Sequence, residues 1–233
     1  MLNKIKLSLK MTRYTLNRKS TFTSMILFFI LGLGMECVRL YSPADSGAAA
    51  LGSYYFAIVA MFMGQMVFLT TVSKLVQCSP KKRILQVECV PLISTLCSVI
   101  MYTLLVVITY IGIRISPVFE TSPEAVNIIK MDLLIMGFFA LILEIYCGIV
   151  YKAFWITTII FMAILIPIIL GSMYFIRVKL NLDYTVGLST GTVVAISYGL
   201  IIIGYPIARL LAALTYKLDI SPSSYKTALQ KSK

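Results

Sequence analysis

The chain has 233 residues, of which 59% are apolar and only 13% are charged, whereas about a quarter of the residues in a soluble domain are charged. So few charges do not cover the surface of a soluble fold, and we therefore predict an all-α polytopic membrane protein. The sequence has no histidine, which excludes Ser-His catalysis, HExxH sites and histidine-ligated zinc or haem.

The first twenty residues form a basic arm ahead of the first long apolar run. Four leucine or isoleucine side chains of this arm fall on one face of a helix, beside lysines: Leu2, Ile5, Leu9 and Leu16. This spacing predicts an interfacial helix over residues 1–20 that lies on the membrane surface. A generic basic arm next to the membrane is the alternative interpretation.

Six apolar runs are each long enough to cross a bilayer, which takes about 20 residues. They cover residues 22–41, 51–72, 91–115, 131–151, 153–176 and 187–210. We therefore predict six transmembrane helices in a single domain that comprises residues 1–233. Lys152 separates the fourth and fifth runs, which together are long enough to cross the bilayer twice, so a tight turn is predicted there.

The basic residues are distributed unequally between the two sides of this topology. All but five of the 21 Lys and Arg fall on the side of the termini, the exceptions being Arg39, Arg114, Lys130, Arg177 and Lys179. Because loops rich in Lys and Arg stay in the cytoplasm, both termini, including the tail 211–233, are predicted to be cytoplasmic in a plasma membrane protein. The net charge of +12 then reflects topology and attraction to anionic lipids, and nucleic acid is not an expected partner.

The loop after the second span contains the segment Ser79-Pro80-Lys81-Lys82-Arg83-Ile84-Leu85. Ser79 is a typical N-cap and Pro80 suits the first turn of a helix, whereas Pro91 biases the preceding residue away from the α region. We predict a short cytoplasmic helix over residues 80–89, bent away from the third span. An ordinary polar loop is the alternative, and two flanking spans exclude a nuclear localisation patch.

These features together resemble the membrane subunit of a bacterial ABC exporter, of the class with one main coupling helix in each permease. That class includes drug, lipid and polysaccharide exporters and permeases that give immunity to lantibiotics and other antimicrobial peptides. The resemblance implies that Lys152 makes a second, smaller contact with a separate ABC ATPase. It implies that the main coupling helix, seated in a groove of that ATPase, is formed by Ser79, Pro80, Lys81, Lys82, Arg83, Ile84 and Leu85.

The resemblance also implies partners. A second permease copy or a paralogue would complete a dimeric core, and membrane lipids would surround it. The sequence contains no GxxxxGK[ST] motif, so ATP and Mg²⁺ are expected in the ATPase partner, and we expect no catalytic residue and no cofactor in this chain. No CxxC pair is present, and no metal site is expected.

The expected cargo is amphipathic or hydrophobic, because no large soluble domain is present and methionine and aromatic residues are frequent. A small or antimicrobial peptide, a lantibiotic and a lipid are the candidates, so peptide transport across the plasma membrane is the expected activity. A non-transporting membrane scaffold or immunity protein is one alternative function. A small secondary carrier or channel is another.

Four polar residues inside the predicted spans are candidate functional residues. Glu36 and Arg39 lie one turn apart near the outer end of the first span and are predicted to form a structural ion pair. Glu144 lies near the middle of the fourth span, where an ionisable side chain costs about 2.5–3.5 kcal/mol and should face protein or water. Gln65 is a candidate partner for Glu144, which fits either a translocation pathway or a structural hydrogen bond.

Glycine pairs also occur at two spans. Gly187 and Gly191 form a GxxxG pair at the start of the sixth span, and Gly32 and Gly34 interrupt the first. Since such pairs allow helix backbones to approach closely, we expect both to lie at helix–helix contacts.

Overall fold

The computed structural model describes residues 2–13, 18–41, 49–116, 123–150, 152, 154–178 and 187–222, and in these residues the regular structure is all helical. The helices are α1 Leu2–Arg13, α2 Arg18–Tyr41, α3 Ala49–Val72, α4 Lys74–Gln77, a π-helical segment Ile84–Cys89 (the π segment), α5 Val90–Ile115, α6 Pro123–Ile149, α7 Phe154–Val178 and α8 Thr190–Thr215. The six long helices coincide with the six predicted runs apart from their ends. The arm residues 14–17 and most of the predicted tail, residues 223–233, lie outside the described residues.

Within the described part of the chain, four helical stretches are long and apolar enough to cross a membrane: Lys19–Tyr41, Leu51–Val72, Ile84–Ile115 and Thr190–Thr215. Isoleucines on the outside of the bundle are exposed, among them Ile30 of α2, Ile159 of α7 and Ile202 of α8. Such exposure is unfavourable in water and favourable against lipid tails. The chain therefore has the character of a membrane protein, and membrane crossing by α6 and α7 stays a prediction.

The most extensive packing in the bundle is between α6 and α8. A Cβ atom at Gly137 would lie 2.8 Å from the Ser197 Cα, and one at Gly148 would lie 2.7 Å from the Ala208 carbonyl oxygen. The Ser197 hydroxyl donates a hydrogen bond across the interface to the Leu133 carbonyl oxygen at 3.0 Å. Small residues thus bring the two backbones together, as is common in membrane bundles.

The glycines predicted to mark close contacts are mostly elsewhere. No described atom of another segment lies within 4 Å of a Cβ built at Gly34 or Gly187, and Gly191 meets only the nearby Ser189 hydroxyl, at 3.8 Å. Gly32 does approach the Phe56 ring, at 3.3 Å. Among the described residues the predicted close contact is therefore present at one of the four glycines, because spacing alone does not show which face of a helix meets a neighbour.

Helix α1 packs against α3, α5 and the π segment. Ser8 and Met11 are buried in this contact, while Leu9 is 49% exposed. The Ser8 hydroxyl donates to the Lys4 carbonyl oxygen at 2.9 Å and to the Cys89 carbonyl oxygen at 3.4 Å. The face that carries Ser8 and Met11 thus packs on the bundle and leaves Leu9 of the predicted leucine face exposed, so the interfacial position of this helix stays a prediction.

The predicted break before Pro91 is absent. Val90 has α-helical angles, φ −65° and ψ −55°, and α5 follows the π segment directly. Proline lacks an N–H group and its ring clashes with the carbonyl four residues earlier in an α-helix. Bonding from i to i+5 opens the preceding turn, so the wider winding of Ile84–Cys89 accommodates Pro91 within an unbroken run of helical residues. The predicted separate helix, residues 80–89, is therefore replaced by an extension of α5.

We predict that Gly148→Ala destabilises the protein by about 1–3 kcal/mol, because the new methyl group meets the α8 backbone and the helices must separate. Gly199→Ala in α8 is the matched control, since a Cβ there meets no described atom within 4 Å. This control should be neutral or gain up to about 1 kcal/mol from helix propensity. Reversible unfolding in detergent measures both, and equal stability of the two variants would contradict the close approach.

Candidate functional site

Basic side chains from several parts of the chain meet at one end of the bundle. The Glu88 carboxylate binds Arg209 of α8 at 2.6 Å and Lys4 of α1 at 2.9 Å. The Lys82 Nζ lies 5.7 Å from the centre of the Tyr216 ring, a distance at which the ring attracts the ammonium group. We call this region the basic end, defined by Lys4, Lys82, Arg83, Lys152 and Arg209.

The segment predicted to couple to an ATPase, residues 79–85, lies at the basic end. The Ser79 hydroxyl accepts a hydrogen bond from the Lys81 backbone N–H at 3.2 Å, which is the N-cap contact that the sequence predicts. Leu85 is buried and holds the segment to the bundle. Four of its side chains are exposed: Pro80, Lys81, Arg83 and Ile84.

Lys152 lies in the turn between α6 and α7 and is 4% exposed. Its Nζ donates to the carbonyl oxygens of Tyr216, at 3.0 Å, and Leu218, and its own carbonyl oxygen accepts from the Ser221 backbone N–H at 2.9 Å. Burial and the nearby charge of Lys82 lower the pKa of Lys152 to about 8. The side chain thus faces the protein, where it holds the segment after α8 beside the coupling segment.

A buried ion cluster occupies the opposite end of the bundle. Arg39 binds Glu36 at 2.5 Å and Asp132 at 2.7 Å, and it donates to the Thr109 hydroxyl at 2.9 Å. The Ser53 hydroxyl donates to the second Asp132 oxygen at 2.6 Å. All three charged residues are fully buried. The structure thus contains the predicted Glu36–Arg39 pair, within a network that joins α2, α3, α5 and α6.

The two carboxylates of this cluster are not equivalent. Both Asp132 oxygens have a hydrogen-bond donor, whereas Glu36 Oε1 has none among the described residues. The Glu36 carboxylate lies against the α3 backbone, where a Cβ at Gly52 would overlap it. With one guanidinium for two carboxylates, Asp132 is the better hydrogen-bonded of the two.

Glu144 is fully buried in the middle of the bundle. Its carboxylate lies against α8 at Gly204, in space that a Cβ atom at this position would occupy. The glycine therefore makes room for the carboxylate. The Thr95 hydroxyl of α5 lies beside the carboxylate, but neither carboxylate oxygen has a hydrogen bond of normal geometry among the described residues, and the same holds for the hydroxyl oxygens of Ser94, Thr95 and Ser98. Unsatisfied groups at this depth are costly and typical of a site with a function beyond packing.

The suggested contact between Gln65 and Glu144 is not formed, since Glu144 has no such hydrogen bond among the described residues. Gln65 lies instead beside Tyr146. Glu144 and Tyr146 are two positions apart on α6 and project in different directions. The sequence places both polar residues at similar depth but does not give the rotation of one helix about another.

Sequence reasoning missed Asp132, Ser53 and Thr109. The signal for Asp132 is present, because it is the second residue of the predicted fourth span and an ionisable residue in a span requires a partner. Ser53 and Thr109 carry no such signal, since hydroxyl residues are common in membrane helices.

No protein-family model, no curated protein and no solved structure matches this chain.

We predict that Asp132→Asn and Glu36→Gln differ strongly in their effect on stability. Asp132→Asn should lower the free energy of unfolding by about 3–5 kcal/mol, because it leaves the buried Arg39 guanidinium poorly compensated. Glu36→Gln should cost less than about 1 kcal/mol, since it removes the surplus negative charge. Unfolding in detergent measures both, and an equal loss would contradict the unequal roles of the two acids.

We predict that Lys152 makes stability depend on alkaline pH. Its pKa is about 8 in the folded chain against the usual 10.5, so the unfolded chain binds more protons between these values. The free energy of unfolding should therefore rise with pH across this window. The folded state should be least stable below pH 8, where the buried Lys152 ammonium group is charged. The midpoint of thermal unfolding of the wild type, measured against Lys152→Met, should increase from pH 8 to pH 10.5. A constant difference would exclude the shifted pKa.

Proposed function

We propose that the chain is the permease subunit of an ATP-driven exporter in the plasma membrane, with six transmembrane helices and both termini in the cytoplasm. The observation that carries this proposal is that residues 79–85 and the turn at Lys152 lie together at the basic end. Residues 79–85 would contact an ATPase, whereas the Lys152 side chain is buried and would support that surface without touching the partner. Exposed Lys81 and Pro80, on a capped segment anchored by Leu85, offer a surface that a soluble partner can reach.

The basic end is also connected to the helices that would have to move. The π segment continues into α5 without a break, and Glu88 within it binds Arg209 of α8 and Lys4 of α1. A displacement of the coupling segment by ATP-driven closure of a partner therefore reaches α1, α5 and α8 through covalent and ionic links. Helix α6 follows because it packs against α8.

The proposed cargo is an amphipathic or hydrophobic molecule, such as a small antimicrobial peptide, a lantibiotic or a lipid. Glu144, buried with no hydrogen-bond partner among the described residues, is the proposed polar residue of the pathway. A second permease, identical or related, completes the pathway, and ATP with Mg²⁺ binds in the ATPase.

Charge reversal at the tip of the coupling segment tests this proposal. We predict that Lys81→Glu lowers the ATP hydrolysis that co-purifies with the tagged chain from native membranes by about tenfold or more, because charge complementarity at the docking surface is lost. Arg114→Glu is the control, since Arg114 is exposed near the last turn of α5, at the other end of the bundle. This control should retain wild-type hydrolysis.

Two results would contradict the proposal. Unchanged hydrolysis with Lys81→Glu would remove the coupling role of residues 79–85. Absence of ATP hydrolysis with the wild type would favour the second candidate function, a small ion-driven carrier, which the unpartnered buried carboxylate of Glu144 supports.

A further inference from the structure

A cleft of about 490 Å³ opens at the basic end between the π segment and α8. Three charged residues line it: Arg83, Glu88 and Arg209. Its walls also carry Ile84 and Leu210, which are 43% and 60% exposed. The cleft therefore presents guanidinium groups and accessible apolar side chains to the same ligand.

The charge balance of the cleft is positive. The Glu88 carboxylate already binds two cations, Arg209 through Oε1 and Lys4 through Oε2. Arg83 adds a third cation and forms no ion pair among the described residues. Two positive charges therefore remain uncompensated around the cleft.

Arg209 can bind an anion without releasing Glu88. A guanidinium has five N–H donors in a planar fork, and Glu88 contacts Arg209 through one terminal nitrogen. Half of the Arg209 side chain is exposed, so its other donors remain accessible. Together with Arg83 it can contact phosphate oxygens in the geometry that guanidinium groups favour.

We propose that this cleft binds an acidic phospholipid, with the headgroup phosphate between Arg83 and Arg209 and the acyl chain against Ile84 and Leu210. A free phosphate would use the guanidinium groups alone, whereas the exposed apolar wall beside them matches a lipid. Arg83 and Ile84 also belong to residues 79–85, so the lipid would occupy the side of that segment that faces α8 and leave Pro80 and Lys81 to the ATPase. This inference goes beyond the proposed function, and its test requires no ATPase.

The experiment uses the purified full chain in detergent and compares added phosphatidylglycerol with phosphatidylcholine and with glycerol 3-phosphate. Native mass spectrometry measures retained lipid, and the shift of the unfolding temperature measures binding of each compound. Phosphatidylglycerol should bind the wild type more tightly than phosphatidylcholine. Equal binding of both lipids overturns the headgroup contact, and binding of glycerol 3-phosphate as tightly as the lipid overturns the acyl-chain contact.

Variants locate the site. Arg83→Gln should weaken phosphatidylglycerol binding about fivefold, as expected for the loss of one basic residue near a lipid surface, and Arg209→Gln should have a similar effect. Arg83 has no ion pair among the described residues, so Arg83→Gln remains informative if Arg209→Gln destabilises the chain through Glu88.

Two control variants should bind phosphatidylglycerol as the wild type does: Lys217→Gln and Arg114→Gln. Lys217 is exposed at the same end but outside the cleft lining, and Arg114 is exposed at the other end. An equal loss in these controls would show general surface attraction and overturn the proposal.

Discussion

A buried guanidinium constrains the whole bundle. Arg39 is inaccessible to solvent, and among the described residues its charge is compensated by groups from other helices and from its own turn: Glu36, Asp132 and Thr109. Removal of Arg39 or of the Asp132 carboxylate leaves an uncompensated charge in an apolar interior, where the penalty amounts to several kcal/mol. The Arg39 guanidinium therefore fixes how α2, α5 and α6 are arranged at this end, because another arrangement would separate it from Asp132 and Thr109. Ser53 adds α3 to the same network through Asp132.

The other end is held by partly exposed ion pairs, which constrain the helices less than the buried cluster does. Glu88, Lys4 and Arg209 are bridged across α1, the π segment and α8, but Lys4 and Arg209 keep about half of their side-chain surface accessible. Exposed pairs of this kind contribute little to stability and exchange partners readily. The bundle thus combines a fixed end with an adaptable one, and the proposed ATPase contact and lipid cleft both lie at the adaptable end.

The sequence predicts the parts of the structure that depend on local chemistry. The six apolar runs became helices, Ser79 accepts the N-cap hydrogen bond, and Glu36 pairs with Arg39 one turn away. Features that depend on the rotation of helices about one another were missed: Gln65 is not bonded to Glu144, and Gly137 and Gly148 are the glycines that face the backbone of a neighbouring helix among the described residues. Pro91 was misjudged because Val90 keeps α-helical angles despite the bias of a residue before proline. The clash with the carbonyl four residues earlier is relieved by the π winding of Ile84–Cys89.

The π winding of Ile84–Cys89 also determines which way the coupling segment faces. A π turn holds about one residue more than an α turn, and one residue corresponds to a rotation of about 100° around the axis of an α-helix. Residues 79–83 are therefore turned by roughly this angle from the direction in which continuous α winding would place them relative to α5. The angular position of the proposed contact surface thus depends on the number of residues between Ile84 and Cys89. Deletion of one residue there would turn the surface to a different direction, although the composition and mean hydropathy of the chain would hardly change.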